Sequence, residues 1–301
     1  MHISIIGTNG LLSACIGSYC NEHGLELHMY GKTEPKHHTY TKFIKIDLLN
    51  ENLHYEELSK SDVIIYTAGA GIQFHLKESP DAVYNLNVSI PVSICNNLIR
   101  TGYKGAFISF GSYFEIGETA EESAFTEVDV LRSQLVAPND YSISKRMLSR
   151  FFNSFRAPFT FLHFILPTIY GEHESAYRLI PYTLRAINEN TNLTLTSGVQ
   201  VRQYIYIQDV VNVLFNSIAS NLVSGIYNIS GVEEFSVKEL VTVLFDLNDK
   251  EIPDNIFGKT DRVDVGMKVL RLNGDKLKNS IGYTPSTKIA QVYNKYICNG
   301  S

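Results

Sequence analysis

A doubly wound α/β fold, in which helices cover both faces of a parallel sheet, is what this 301-residue sequence predicts. Two observations carry that expectation. Short apolar runs alternate with segments of helical periodicity, and a glycine-bearing turn sits directly between the first run and the first helical segment. Strands buried on both faces read as continuous apolar stretches, and a parallel pair needs a crossover long enough to hold a helix.

The runs at 2–6, 25–30, 43–46, 63–67, 106–110 and 159–164 are the predicted strands. Helical periodicity falls between most of them, near 11–22, 51–59, 80–101 and 139–155. Beyond about residue 165 the rhythm loosens into helical patterns near 175–189, 207–219, 236–247 and 286–297, the third of them opened by the capping box Ser236-x-x-Glu239. No repeat or low-complexity linker interrupts the chain.

Composition excludes several function classes. The chain is 44% hydrophobic and 19% charged with a net charge of -5, and it has no basic cluster, so no nucleic-acid partner is expected. The longest apolar stretch, 158–170, contains His163 and Thr168 and is too short to span a bilayer, so no membrane partner is expected either. Strand-like residues follow Met1 at once, leaving no room for a signal peptide. The four cysteines, Cys15, Cys20, Cys95 and Cys298, have neither metal-ligand spacing nor the number for a disulfide framework. These features predict a soluble, cytoplasmic protein without a metal centre, in which His173, His37 and His38 are solvated loop residues.

The first strand runs into Gly7-Thr8-Asn9-Gly10-Leu11-Leu12-Ser13 and then a helix. Glycines in a strand–turn–helix let backbone N–H groups approach a pyrophosphate at the helix N-terminus, which makes Gly7, Asn9, Gly10 and Leu11 candidate cofactor contacts. Ser13 stands where a third glycine is usual. The expected architecture is thus a Rossmann-type NAD(P)-binding domain over residues 1–165. A smaller mixed α/β lobe follows over 166–301, and some of its segments return to the first sheet.

An NAD-binding chain would end its second strand in an acid that accepts from the ribose 2'-OH. Here the strand ends Met29-Tyr30-Gly31-Lys32-Thr33, and Lys32 would complement a 2'-phosphate, which favours NADP over NAD. Lys32 reads equally well as an exposed loop lysine. Asp47, at the end of the third strand, is a candidate for the adenine amino group or for capping the next turn.

Tyr141 and Lys145 form a Tyr-x-x-x-Lys pair one helical turn apart, which aims a phenol and an ammonium in the same direction. Alone, such a pair is more often part of a solvated helix face. Its neighbours change that reading. Tyr66-Thr67-Ala68-Gly69-Ala70, Asn85-Leu86-Asn87-Val88, Ile108-Ser109-Phe110-Gly111-Ser112, Leu166-Pro167-Thr168-Ile169-Tyr170-Gly171, the run from Val201 to Val210 and Tyr227-Asn228-Ile229-Ser230-Gly231 follow in order. With the glycine loop and the Tyr–Lys pair, this series resembles the extended short-chain dehydrogenase/reductases of the NAD-dependent epimerase/dehydratase family, which modify nucleotide-linked sugars. The resemblance runs from Ile3 to about Pro285.

The resemblance implies roles for particular residues. Tyr141 would be the general acid/base, and Lys145 would bind the nicotinamide ribose and lower the Tyr141 pKa. Ser112 would hold the reacting sugar oxygen, with Ser109 a minority candidate for that role. Ala68 and Gly69 would line the cofactor, and Asn87 would take a proton-relay, substrate or helix-bend role. Arg202, Arg262 and Arg178 would hold the nucleotide diphosphate, a task suited to a guanidinium fork. Gln203 departs from the acid usual after that first arginine.

Ser112 is followed by Tyr113-Phe114 where dehydratases of the family carry an Asp-Glu pair, so elimination of water is not expected. Ketone reduction and 4-epimerisation need only the Ser, Tyr and Lys. The runs 193–202 and 257–263 are locally similar to CDP-paratose and CDP-abequose synthases, which are CDP-4-keto-6-deoxyhexose reductases. The resemblance therefore implies an NADPH-dependent reductase of a CDP-, dTDP- or GDP-linked 4-keto-6-deoxyhexose, working as a homodimer in deoxysugar and surface-polysaccharide biosynthesis. An NAD-dependent 4-epimerase is the alternative, and a non-catalytic dinucleotide-binding regulator is a third reading.

Overall fold

Seven parallel strands form the central sheet of the computed structural model, which describes residues 1–72, 76–260 and 267–298. The six predicted runs become β1 (His2–Ile6), β2 (Glu26–Gly31), β3 (Lys42–Lys45), β4 (Val63–Tyr66), β5 (Ala106–Ser112) and β6 (Thr160–Leu166). Between them lie α1 (Leu11–Glu22), α2 (Tyr55–Leu58), α3 (Pro80–Tyr84), α4 (Ile90–Arg100), α5 (Glu127–Arg132) and α6 (Asp140–Ser154). The second half adds β7 (Thr168–Tyr170), α7 (Leu179–Glu189), β8 (Val201–Tyr206), α8 (Ile207–Ala219), β9 (Gly225–Asn228), β10 (Glu233–Ser236), α9 (Val237–Asp246), β11 (Val269–Leu270), α10 (Asp275–Ile281) and α11 (Ile289–Cys298).

The strand order is β3-β2-β1-β4-β5-β6-β9, so the order reverses between β1 and β4, where ligands of open α/β sheets bind. The alternation of side chains assigns the apolar residues to two cores, one on each face. Ile3, Ile5, Ile65, Ile108 and Phe164 face the core beneath α1 and α8, whereas Ile6, Ile64, Phe107, Phe161 and Ile165 face the core beneath α4 and α6. Because both faces are covered, these strands show no polar alternation and stand out as apolar runs.

Residues beyond 165 serve both sheets. β9 joins the first sheet beside β6, and α8 lies against α1, where Phe215 stacks on Tyr19 at 3.9 Å. A second, four-stranded sheet is built on β8, which pairs antiparallel with β10 and parallel with β7 and β11.

Two predicted helices differ in detail. The segment near 51–59 supplies only the single turn of α2, whose N-cap His54 makes no side-chain cap. The 80–101 helix is divided by a π turn over Asn85–Ser89. Pro91 has no N–H to offer the carbonyl four residues back, and the helical ladder widens just before it.

Candidate active site

The glycine loop closes around its serine. Gly7 has φ +110°, and a Cβ there would lie 2.7 Å from both Ala68 N and Thr67 Oγ1, so glycine is what lets the ends of β1 and β4 come together. Gly10 is the exposed N-cap of α1, and no acid stands in the first turn. Ser13 replaces the third glycine by folding inward: its Oγ accepts from Gly10 N–H at 3.0 Å and donates to the Gly10 carbonyl at 2.9 Å. An exposed helix start free of acids fits a pyrophosphate. Asn9 ties this loop to the one after β2, donating from Nδ2 to Thr33 Oγ1 at 2.8 Å and the Glu34 carbonyl at 3.1 Å.

The end of β2 has no space for an acid. A Cβ on Gly31 would lie 2.6 Å from Thr8 Cγ2 and 2.7 Å from its Oγ1, so any larger residue requires Thr8 to move. Lys32, exposed on the next position, donates to Asp47 Oδ2 at 2.9 Å. Asp47 also accepts from Asn50 Nδ2 and Leu49 N–H, and these bonds, the one from Lys32 foremost, hold its carboxyl below the ordinary carboxylate range. Asp47 thus caps the turn after β3 while it pairs with Lys32.

Ser112 ends β5, and Tyr141 and Lys145 stand on the first turns of α6, which Asn139 caps by accepting from Ser142 N–H at 2.9 Å. Tyr141 lies close enough to Ser112 for the serine hydroxyl to favour ionisation of the phenol. Burial pushes the phenol up to about 12, against the lowering by Ser112. The expected lowering by Lys145 is not what this arrangement provides, because Lys145 Nζ is directed to the Phe110 carbonyl at 2.9 Å and lies 5.9 Å from the Tyr141 ring centre. Burial brings Lys145 itself down to about 8, which leaves it able to titrate.

Asn87 lies in the π turn and is fully buried. Its amide accepts from Ala70 N–H at 3.0 Å and donates to the Ala70 carbonyl and to Ser144 Oγ, each at 2.9 Å. With those bonds made, Asn87 suits the helix-bend role rather than contact with a substrate. It also packs against Gly69, where a Cβ would lie 3.1 Å from Asn87 Oδ1. Ser109 is fully buried inside β5 and bonds His163 Nδ1 at 2.8 Å, away from Tyr141. Ser112 is therefore the serine that meets the tyrosine.

One acid was not anticipated. Glu115, in a short 3-10 turn over Tyr113–Ile116, is fully buried and its Oε1 accepts from Ser112 N–H at 2.7 Å. The spacing Ser112-x-x-Glu115 is a capping-box signature and was the signal available in the sequence.

The arginines divide into two kinds. Arg202, on β8, is buried; it donates to the Val201 carbonyl at 2.7 Å, lies 6.0 Å over the Phe114 ring, and meets no carboxylate among the described residues. A buried cation in that state fits an anionic ligand. Arg178 precedes α7 and pairs with Glu174 at 2.6 Å, and Glu174 in turn accepts from the Tyr296 hydroxyl at 3.1 Å. Arg178 is still close enough to favour ionisation of Tyr141. Arg262 lies outside the described residues. Gln203 exchanges hydrogen bonds with Leu272, accepting at 3.0 Å and donating at 3.4 Å, which joins β8 to the segment after β11.

His37 and His173 are exposed and stack at 3.9 Å, joining the loop after β2 to the loop after β7. A group of metal-ligand type, His2, Glu26 and His28, gathers at the N-terminal ends of β1 and β2, the ends away from the glycine turn. Among the described residues no helix is long and apolar enough to cross a membrane.

The strand order and the glycine turn define the class first: a Rossmann-type α/β protein of the dinucleotide-binding kind. A model of the NAD dependent epimerase/dehydratase family matches residues 3–230, and the chain belongs to that family. A CDP-abequose synthase of Yersinia pseudotuberculosis is 26% identical over 205 residues, and the match spans 65% of this chain and 65% of that protein's length. Among solved structures, the Bordetella bronchiseptica enzyme WbmG in complex with NAD superposes with a TM-score of 0.81 at 16% identity, covering 99% of this chain and 93% of that one. UDP-glucose 4-epimerase of Thermotoga maritima with UDP-glucose gives 0.81 at 15% identity, with 99% and 100% covered.

Proposed function

We propose that this protein reduces the 4-keto group of a nucleotide-linked 4-keto-6-deoxyhexose with NADPH. The observation that carries the reading is the approach of Tyr141 to Ser112 at the end of β5, with Lys145 one turn away and aromatic side chains at positions 113 and 114. Reduction needs a proton donor that is not already ionised. Tyr141, held up to about 12, keeps its proton at neutral pH.

Gly7, Gly10, Leu11, Ala68 and Gly69 would seat the dinucleotide, and Lys32 with Asp47 would face its adenosine end. A bound reduced nicotinamide supplies the hydride. Ser112 orients the ketone oxygen, and Tyr141 delivers the proton to that oxygen as it becomes an alkoxide. Lys145, now on the Phe110 carbonyl, would hold the ribose hydroxyls of the cofactor and, with its charge nearer Tyr141, would ease proton release. Arg202, with Arg178 and Arg262, would receive the diphosphate. Similarity to a CDP-abequose synthase supports a CDP-sugar.

A 4-epimerase reading draws on the Lys32–Asp47 pair, which neutralises the cation that would favour a 2'-phosphate. We place a homodimer on α4 and α6, where Ile99, Ile143 and Met147 are exposed.

The test is turnover of CDP- and dTDP-4-keto-6-deoxyglucose with NADPH and NADH, followed by NMR of the sugar product. Net consumption of reduced nicotinamide supports reduction, and Tyr141→Phe should lower kcat by about 10²-fold or more. Undiminished turnover by that variant overturns the assignment of Tyr141. A tightly held NAD that co-purifies, with no net nicotinamide oxidation, would establish the epimerase instead.

A further inference from the structure

The carboxyl of Glu115 sits directly behind Ser112, and its surroundings exceed what a turn cap requires. Oε1 accepts from Ser112 N–H, while Oε2 is buried with no hydrogen-bond partner. A Cβ on Gly111 would lie 2.5 Å from Glu115 Oε1, 2.9 Å from His163 Nε2 and 3.2 Å from Ser149 Oγ. Glycine at 111 is thus what allows a carboxyl, an imidazole and a hydroxyl to converge beneath β5. Ser149 bonds His163 Nε2 at 2.8 Å and lies close enough to the Glu115 carboxyl to favour its ionised form, and His163 Nδ1 continues to Ser109 Oγ at 2.8 Å. The result is a hydrogen-bonded chain, Ser149–His163–Ser109, inside the protein with the Glu115 carboxyl beside it.

Each element packed around Glu115 supplies its charged groups in a definite way. From α6 come Tyr141, Lys145 and Arg146, the last donating from Nε to the Glu115 main-chain carbonyl at 2.7 Å and not to its carboxyl. From β6 comes His163, which burial holds down at about 3 and therefore neutral. On α5, Glu127 is directed to Asn228 N–H at 2.8 Å. Burial raises Glu115 to about 7, against the lowering by Ser149 and Ser112, so its charge changes near neutral pH. When charged, it favours the ammonium of Lys145 and the neutral phenol of Tyr141.

We propose that Glu115 is a positioning residue of the reaction centre, a buried carboxyl whose charge, and not only its bond to Ser112, sets the protonation of Tyr141 and Lys145. This rests on reading Ser112, Tyr141 and Lys145 as the catalytic set. A capping box alone needs only an acceptor, which glutamine provides; it accounts neither for the unpartnered oxygen nor for the chain behind it.

Glu115→Gln separates the two roles because it keeps the acceptor and removes the charge. Infrared difference spectra of wild type against Glu115→Gln, taken across neutral pH without substrate, should show a carboxylic-acid band that fades as pH rises through about 7. The alkaline loss of NADPH binding should move down by about one pH unit in the variant, because Lys145 loses a neighbouring negative charge. Ser149→Ala, a milder change should Glu115→Gln fold poorly, should shift the band's midpoint upward. A folded Glu115→Gln protein whose cofactor-binding and kcat profiles superimpose on those of wild type, or the absence of any titrating band, overturns the proposal. A wild type inert on every keto sugar tested but showing the band and the shifted binding limb would overturn the assigned reaction and leave this role for Glu115 supported.

Discussion

Lys32 and Asp47 close an ion pair of 2.9 Å across the C-terminal ends of neighbouring strands β2 and β3. Lys32 is three-quarters exposed, so the pair itself adds little stability. For the proposed cofactor its weight would be larger. Lys32→Ala should raise the KM for NADPH about tenfold or more, since a charge-assisted contact is lost and the Asp47 carboxylate is left facing the 2'-phosphate. KM for NADH should change by less than about threefold. Steady-state kinetics with both cofactors measures the ratio, and equal effects on the two would show that Lys32 reads no phosphate.

Gly31 and Thr8 exclude each other's bulk. Gly31→Asp alone should lower the Tm by several degrees without conferring NADH use, because the new Cβ meets the Thr8 side chain at 2.6 Å. Adding Thr8→Ala removes Cγ2 and Oγ1, leaving the Thr8 Cβ contact of 3.2 Å, and should recover most of the Tm while moving the preference toward NADH. Calorimetry and the ratio of kcat/KM values check the two halves of this expectation.

Lys145 couples pH to stability and to binding in opposite directions. Burial brings its folded pKa to about 8 from an ordinary 10.5. Below about 8 both folded and unfolded chains hold the proton and the burial cost is complete; between 8 and 10.5 only the unfolded chain holds it, so stability rises with pH over that window. Cofactor affinity should fall over the same window as the ammonium is lost. Lys145→Met should flatten both trends, which thermal melts and NADPH titrations across the range would measure.

Arg202 is predicted to act on the sugar nucleotide alone. Arg202→Gln should raise the KM for a CDP-sugar by about 10- to 100-fold, the loss expected for a guanidinium on a diphosphate. The NADPH Kd, read by fluorescence, should stay within about twofold. A matching loss of NADPH affinity would move Arg202 to the cofactor.

Six strands of the first sheet were legible because most are buried on both faces, leaving uninterrupted runs such as Val-Ile-Ile-Tyr in β4, whereas the four-residue β9 was not. The second sheet was not. β10 reads Glu-Glu-Phe-Ser and β11 is two residues long, and such strands are specified by pairing with β8 rather than by their own pattern. α5 was passed over although Thr126 and Asp129 form a capping box, because its six residues are too few to show a helical period. Ser112, Tyr141 and Lys145 could be placed from motif order. Glu115 could not be so placed, since its burial depends on Gly111, Ser149 and His163 arriving from β5, α6 and β6.

The Tyr296 hydroxyl on Glu174, and Glu174 on Arg178, would give α11 a thermodynamic stake in binding where Arg178 receives the diphosphate as proposed. Linkage is reciprocal: a sugar nucleotide that fixes Arg178 must stabilise the docked helix by the same free energy with which the docked helix favours that ligand. Hydrogen exchange of the α11 amides would then be a remote gauge of the proposed substrate, readable on a helix that need not touch the sugar.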